Sequence, residues 1–286
     1  MMSAQDFAGT VVFIVSFMAA VAVLEAAVPL AARPVGPPGR RRANLAMTAQ
    51  VLLTAFGLNA AVAAVAVALA LPIGGPGLMS RLGLPVSAQF VLGVVALDFA
   101  YGYAAHRVMH AVPGLWRIHR VHHSDPFVDV TTAYRTHPVE VAWRHLWLFV
   151  TAWALGVPAA ALVAFRTLSA INGILEHANL RVPPALDAAV SWVWVTPNMH
   201  KVHHSRVQTE TDSNYGNLFT LHDRLLGTFV PSRRGLSVDY GLDEIGAAER
   251  LSFGALLAMP WRPHDRRRRP AAERGVEAPI EPGVHA

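Results

Sequence analysis

The chain lacks cysteine: none occurs among its 286 residues. Disulfide bonds, thiolate metal ligands and cysteine nucleophiles are therefore excluded. Charge is also sparse, since Asp, Glu, Lys and Arg make up 15% of the chain, against about 25% in soluble domains. Hydrophobic residues reach 53%, and the mean hydropathy is +0.35. This balance predicts an integral membrane protein rather than a soluble one.

Three apolar stretches in the first part of the chain are long enough to cross a hydrocarbon core of about 30 Å. They run from Thr10 to Ala32, from about Leu45 to Leu71 and from about Val86 to Ala105. The chain starts MMSAQDF, without a basic residue, whereas a cleaved signal peptide has a basic start and a shorter apolar core. The first stretch is therefore interpreted as a retained span.

The arginines indicate how these spans are oriented. The linker RPVGPPGRRR between the first two spans contains Arg33, Arg40, Arg41 and Arg42, while the next linker contains only Arg81. The positive-inside rule places the first linker in the cytoplasm, and the third span then ends there. The isoelectric point near 10.2 indicates membrane lipids as the anionic partner and no nucleic acid, because the arginines lie beside apolar spans. The expected location is the bacterial inner membrane.

The rest of the chain is predicted to return to the cytoplasmic side. The stretch from Val139 to Glu176 is largely apolar and is broken by Gly156-Val157-Pro158, which indicates a hairpin, either crossing the membrane or shallow and re-entrant. The basic string around Arg266 to Arg269 is expected in the cytoplasm, and the residues after about Pro270 are expected to be disordered. The predicted regions are 1–84, an N-terminal transmembrane region, 85–232, a catalytic region with the hairpin, and 233–286, a C-terminal cytoplasmic tail.

Three histidine strings, HRVMH, HRVHH and HKVHH, carry most of the chemistry that the sequence offers. Their eight imidazoles are His106, His110, His119, His122, His123, His200, His203 and His204. Residues three and four apart in a helix share a face, so each HxxHH string is expected to direct all three rings to one point. Eight ligands are too many for one metal and fit two. A structural zinc site, by contrast, is complete with four ligands and usually recruits thiolates.

Other interpretations of the histidines remain open at this point. A single HxxxH pair on a helix is most often a surface pair, and it is the repetition of the strings that favours metal binding. A metal-transporting or metal-storing membrane protein would use a histidine relay through the span cores. A zinc hydrolase is a further alternative, although the sequence has no HExxH motif. Imidazole alone does not identify the metal, because it suits iron, copper, nickel and zinc.

Longer strings around the histidines resemble a known family. HHSDPFVDVTTAYRTHPVE, HANLRVP, TPNMHKVHHS, DSNYGN and DRLLGT are similar to bacterial members of the fatty acid hydroxylase/sterol desaturase superfamily of integral-membrane di-iron oxygenases. The resemblance covers roughly Asp98 to Thr228. One departure is His222, at a position where relatives usually carry tryptophan, which puts in question the packing or substrate contact there.

The resemblance implies a set of ligands and neighbours. His177 of EHANL becomes a ninth ligand beside the eight, and Asn172 and His137 are further candidates that could face the metals. Asp98 is singled out because a carboxylate within a membrane span is costly, and it is expected to support a ligand or the substrate channel. His145, His264 and His285 are not expected to be ligands. Six acidic residues are near enough in sequence to accept a hydrogen bond from a ligating imidazole: Asp125, Asp129, Glu140, Glu176, Asp212 and Asp223.

The resemblance also implies an architecture and a reaction. The fold is expected to be all-α, a polytopic membrane bundle of four to five spans with a cytoplasmic histidine-rich cap that holds two metals. Two iron ions would use O2 and electrons from a separate redox protein to hydroxylate or desaturate a C–H bond of a lipid. Cleavage of an unactivated C–H bond requires a strong oxidant, and imidazole ligands resist such an oxidant whereas thiolates are oxidised by it. The sequence leaves open which lipid is the substrate and which of the two outcomes occurs.

Overall fold

Helices form nearly all of the regular structure. The computed structural model describes residues 4–30, 37–69, 77–242, 244–245 and 251–262, and this part of the chain contains isolated bridges but no strand. The α-helices are α1 (Ala4–Ala27), α2 (Arg40–Ala68), α3 (Leu78–Arg81), α4 (Val86–Leu97), α5 (Ala105–Ala111), α6 (Pro113–His123), α7 (Pro138–Leu155), α8 (Ala159–His177), α9 (Pro184–Val190), α10 (Pro197–His203), α11 (Gln208–Thr211), α12 (Leu221–Leu225) and α13 (Phe253–Ala258). Three 3-10 turns are present at Val130–Thr132, Ser232–Ser237 and Met259–Trp261.

Four helical stretches within the described ranges are long and apolar enough to cross a membrane. They are Gln5–Ala27, Arg40–Ala68, Val86–Ala111 and Ala159–His177. In the most apolar window of α2 only 6% of the residues are buried inside the protein, so most of its apolar side chains are available to lipid tails. The predicted all-α membrane bundle is confirmed, and the four candidates agree with the four to five spans expected from the sequence.

The stretch predicted to form a hairpin contains the helices α7 and α8, which are joined by a short turn. Gly156 ends α7 with φ of 66°, a left-handed conformation that glycine adopts without steric cost. The amides of Gly156 and Val157 bond back to Trp153 O and Ala152 O, and Pro158 then precedes α8. Of the two arms, α8 is one of the four candidate spans and α7 is not. The interruption at residues 156–158 therefore ends one helix and precedes the next, as its glycine and proline predict.

The third candidate span is not a continuous α-helix. A π-helix at Asp98–Ala104 joins α4 to α5, and such wide turns occur often at functional sites. The Asp98 carboxylate is fully buried and accepts hydrogen bonds from the amides of Leu218 and Phe219, each at 3.0 Å. This contact holds the loop after residue 215 against the end of the span, immediately before the first histidine string.

The ends of α1 and α2 meet the loop that follows α6. Glu25, near the end of α1, accepts hydrogen bonds from the amides of Val130 at 2.8 Å and Asn179 at 2.7 Å. Arg40, the first residue of α2, forms ion pairs with Asp125 at 2.9 Å and with Asp129. Three segments distant in sequence are thus held together at one end of the bundle.

Part of the predicted C-terminal tail packs on the helices. Leu256 and Met259 are buried in a cluster with Met47 of α2 and Val121 of α6. Arg120 of α6 adds hydrogen bonds to the carbonyls of Met259 at 2.6 Å and Arg262 at 2.9 Å. The basic string Arg266 to Arg269 and the segment after Pro270 lie outside the described residues. The three region boundaries stay a prediction.

A close backbone contact fixes α10, which carries the last histidine string. A Cβ atom built on Gly235 would lie 1.9 Å from the carbonyl oxygen of Asn198, so the 3-10 turn Ser232–Ser237 must shift if a side chain is present. We expect Gly235→Ala to lower the free energy of unfolding by about 1–3 kcal/mol, as for other overpacked sites. Gly254→Ala is the control, because no described atom lies within 4 Å of its built Cβ. Equal unfolding midpoints of the two variants in denaturant titration would contradict the contact.

Candidate metal centre

Nine histidines form two adjacent groups in which the donor atoms lie within 4.8 Å of one another. The five-histidine group is His106, His110, His119, His123 and His203, and the four-histidine group is His122, His177, His200 and His204. All nine side chains are buried. Their sequence positions span about a hundred residues, so it is the fold that brings them together. The structure therefore places in one region every residue that the sequence singled out as a principal ligand.

The two HxxHH strings are divided between the groups. In the first string, His119 and His123 belong to the five-histidine group and His122 to the four-histidine group. In the second string, His200 and His204 belong to the four-histidine group and His203 to the five-histidine group. Successive helical residues are rotated by about 100°, so the i+3 and i+4 positions point to opposite sides of position i. The expectation that each string directs three rings to one point is therefore wrong. Each string instead bridges both groups.

The four-histidine group has the spacing of metal ligands. The Nε2 atoms of His177, His200 and His204 are separated by 3.1, 3.2 and 3.1 Å. His122 Nε2 lies 3.0 Å from His177 Nε2. Hydrogen bonds alone do not account for three ring nitrogens that face one another, because a neutral imidazole has one proton. A metal at about 2.0–2.1 Å from each nitrogen does.

Hydrogen bonds fix the tautomers of several rings. His106 Nδ1 lies 2.9 Å from Tyr215 O, His203 Nδ1 2.7 Å from Ser213 O and His177 Nδ1 2.6 Å from Gly173 O. A carbonyl oxygen only accepts, so each Nδ1 carries the proton and each Nε2 presents a lone pair to its group. In the described part of the chain, His203 Nε2 is buried and has no hydrogen-bond partner. This orientation suits a metal cation.

Two carboxylates orient rings of the five-histidine group. Glu140 Oε1 lies 2.9 Å from His119 Nδ1, and Asp212 Oδ1 lies 3.1 Å from His110 Nδ1. Arg144, one helical turn after Glu140, donates from Nε to the same carboxylate oxygen at 3.0 Å. Arg144 was not a sequence candidate, although the Glu140–Arg144 spacing on one helix face is the signal that would indicate it.

Burial keeps the rings outside the spans in their neutral form. It lowers the pKa of His203 to about 3. The pKa values of His122, His123, His200 and His204 are also lowered well below 6.5, first by burial and then by the charges of neighbouring histidines. A histidine must be neutral to bind a metal, so these rings are ready to do so at pH 7 without losing a proton.

Three further candidates lie outside both groups. His137 caps α7, accepting the amide of Val139 at 3.2 Å. Asn172 donates to the carbonyls of Val195 and Asn217 and accepts from Trp194 Nε1, so its amide is engaged in holding loops. Asp98 binds backbone amides, as described above. These three residues therefore make structural contacts and are not among the residues of the two histidine groups.

The remaining histidines have separate surroundings. His145 Nδ1 lies 2.8 Å from Val141 O within α7. His222 Nε2 lies 3.3 Å from Asp98 Oδ2, and its ring packs against Phe99 and Tyr103. The departure noted in the sequence therefore places an imidazole beside the buried carboxylate of Asp98. His264 and His285 lie outside the described residues.

The comparison with protein families agrees with this geometry. The family model described as Fatty acid hydroxylase matches residues 90–228, the range that contains all nine histidines. The family model and the curated relatives both support the fatty acid hydroxylase superfamily for this chain. The resemblance inferred from the histidine strings is thereby confirmed. No solved structure matches the chain.

Several curated members of the superfamily are similar to this chain. The ornithine lipid hydroxylase of Rhizobium tropici is 33% identical over 62% of this chain and 51% of its own length. The alkylglycerol monooxygenase of Xenopus tropicalis is 31% identical over 53% of this chain and 32% of its own. The fatty acid hydroxylase vlmA of Lecanicillium sp is 31% identical, with 47% and 40% covered. The matched region thus corresponds to about half or less of each relative.

Proposed function

We propose that the protein is an O2-dependent lipid hydroxylase whose two histidine groups each hold one iron ion. The observation that carries the proposal is the convergence of nine buried imidazoles as a group of five beside a group of four, inside the region that matches the fatty acid hydroxylase family. Bound iron would activate O2 so that one oxygen atom enters a C–H bond and the other leaves as water, with two electrons and two protons consumed.

The residues of the chain have defined tasks in this proposal. The nine imidazoles hold the metals through their unprotonated nitrogens, while Glu140 and Asp212 fix the orientation of His119 and His110. Burial of all nine rings limits access of water. The apolar outer surfaces of the candidate spans let a lipid approach from the bilayer rather than from solution.

Hydroxylation of a membrane lipid is favoured over desaturation by the relatives. Their names specify hydroxylases or a monooxygenase, and an ornithine lipid, an alkylglycerol or a fatty acid. We therefore propose a substrate with a long hydrocarbon chain that resides in the membrane. The electrons are proposed to come from a separate redox protein, because the sequence has no haem, flavin or nucleotide motif. A metal transporter is not favoured, since the groups gather where helices end instead of extending along the spans.

We further propose that the histidine groups face the cytoplasm, in the bacterial inner membrane. Arg41 and Arg42 are exposed at the beginning of α2, and Arg40 beside them contacts the loop that follows the HRVHH string. The basic end of this span and the histidines are therefore on the same side. By the positive-inside rule that side is cytoplasmic.

Lipid mass spectrometry of cells grown under labelled O2 tests the function. Expression of the chain in a host without a related gene should add one oxygen atom to a lipid, and that atom should carry the label of the gas. His122→Ala, which leaves three rings in the four-histidine group, should remove the product while the protein stays in the membrane. An unlabelled product, or an equal amount of product from both chains, would contradict the proposal. Loss of two hydrogens without added oxygen would instead identify a desaturase.

A further inference from the structure

The two histidine groups differ in how many histidines they contain and in which side of the rings the nearby carboxylates approach. The five-histidine group has carboxylates on the outer side of its rings, at His110 Nδ1 and His119 Nδ1. Near the four-histidine group, Glu176 is the one acidic residue of the described chain within ion-pair distance of a ring nitrogen. Its carboxylate therefore has no counterpart elsewhere in the centre.

Glu176 approaches its group from the side of the metal-binding atoms. Its Oε1 lies 3.8 Å from His200 Nε2, and this nitrogen converges with the Nε2 atoms of His177 and His204. Two donors that bind one metal at about 2.1 Å are at most about 4.2 Å apart, so the distance to His200 is within the limit, while Glu176 lies outside the set of atoms that are all within 4.8 Å of one another. A carboxylate that merely orients a ligand would instead contact the outer nitrogen, as Glu140 does at His119.

Glu176 does not serve to orient the His177 ring. Glu176 Oε1 lies 3.9 Å from His177 Nδ1, beyond hydrogen-bond distance. The proton on that nitrogen is donated to Gly173 O at 2.6 Å. His177 is therefore already oriented by a backbone carbonyl, and the Glu176 carboxylate is left for another partner.

The protein supplies Glu176 with amides in contact, whereas the cation that acts on it, Arg144, does so only from beyond ion-pair distance. Its side chain is 4% exposed, and it accepts from Asn172 Nδ2 at 3.3 Å and from the Asn217 side chain. In the described part of the chain no lysine or arginine lies within ion-pair distance of it. Glu140, by comparison, is paired with Arg144. Keeping a buried carboxylate ionised without a cation in contact is costly, and a divalent metal in the four-histidine group would offset that cost.

We propose that Glu176 is a fifth ligand of the four-histidine group, so that both metal positions have five protein donors but only one of them has an anionic donor. This inference rests on the proposed metal binding. Glu176 lies at the edge of the group, and the inference includes a change of its side-chain rotamer on metal binding that brings the carboxylate inward. The anionic oxygen donor makes the two metal positions chemically different, because carboxylate is a harder ligand than imidazole.

The test compares Glu176→Gln with the unchanged full-length chain in detergent. Both proteins are freed of metal, reloaded anaerobically with 57Fe(II), and examined by iron analysis, Mössbauer spectroscopy and thermal unfolding. The Gln side chain keeps the amide contacts but loses the anion. We expect at least a tenfold weaker binding of one iron, a change in one of two Mössbauer doublets, and a smaller rise in unfolding temperature on iron loading. The metal-free unfolding temperature should be equal or higher.

Matched variants separate this role from a structural one. Asp187→Asn removes another buried carboxylate, one that interacts electrostatically with Lys201, and should leave both doublets unchanged. If Glu176→Gln does not fold, Glu176→Asp retains the charge with a shorter reach and should still shift one doublet. Full binding of two irons with both doublets unchanged in either folded Glu176 variant would overturn the inference.

Failure of this inference and failure of the proposed function give different results. A chain that makes the labelled lipid product, but whose Glu176 variants bind iron as before, would retain its function and lose the fifth ligand. A chain that makes no oxygenated lipid, but whose Glu176 variants lose one iron, would retain the ligand and lose the function.

Discussion

His203→Ala and His204→Ala are expected to abolish lipid hydroxylation and yet to affect different metal positions. The two residues are neighbours in sequence, but His203 belongs to the five-histidine group and His204 to the four-histidine group. Even changes outside the direct ligands cost about 10–100-fold in metal affinity or activity, so we expect turnover to fall at least about a hundredfold in each variant. Each variant should lose iron at its own position, because His203→Ala leaves the four-histidine group intact and His204→Ala leaves the five-histidine group intact.

Iron analysis and Mössbauer spectroscopy of the purified variants measure this difference. His145→Ala is the control, because this buried histidine contacts Val141 O within its own helix and lies in neither group. It should keep both irons. If His203→Ala and His204→Ala alter the same Mössbauer doublet, the division of the strings between two metal positions is wrong.

Arg40→Gln is expected to produce the largest loss of stability among single changes remote from the histidines. Arg40 is buried, donates to Asp125 and to Phe127 O at 2.9 and 2.7 Å, and pairs with Asp129. Its removal leaves the buried Asp125 without this cation and Asp129 with only the exposed Arg41 at 3.6 Å, and breaking a buried ion pair costs about 3–5 kcal/mol. We expect the free energy of unfolding to fall by about this amount in denaturant titration.

Arg42→Gln is the matched control for this prediction. Arg42 lies two residues further along α2 and is exposed, so its replacement should change stability by no more than about 0.5 kcal/mol. A double-mutant cycle of Arg40→Gln with Asp129→Asn should show coupling, because the two side chains are in direct contact. Additive effects of the two changes would contradict the ion pair.

The predictions from sequence succeeded where the pattern is local. Apolar runs predicted the first three of the four candidate spans, the glycine and proline at 156–158 predicted the turn between α7 and α8, and the histidine spacing predicted helical strings. The assignment of single rings to metal positions could not be predicted, since it depends on how α6 and α10 lie relative to the other helices. The expectation that each string serves one point overlooked the rotation between adjacent helical positions.

The acidic candidates also show that closeness to a histidine in sequence does not predict which residue each carboxylate contacts in the fold. All six are near a histidine in sequence, but they serve different purposes. Glu140 and Asp212 contact ring nitrogens. Asp125 and Asp129 pair with Arg40, more than 80 residues away. Asp223 holds the amides of Tyr215 and Gly216 at 2.8 Å. Only three-dimensional packing separates these uses, and Arg135, buried between Asn44 and Ser124, gave no sequence signal.

Helix α6 is held on two of its faces, and this limits how the histidine groups can respond to change. His119 and Arg120 are adjacent, so their side chains diverge: the first enters the five-histidine group, while the second grips the carbonyls of Met259 and Arg262. The helix therefore cannot turn about its axis to adjust a ligand without releasing the C-terminal segment. A truncation before residue 251 is therefore expected to loosen the histidine groups without removing any of their residues, because the turn Met259–Trp261 braces the helix that carries His119.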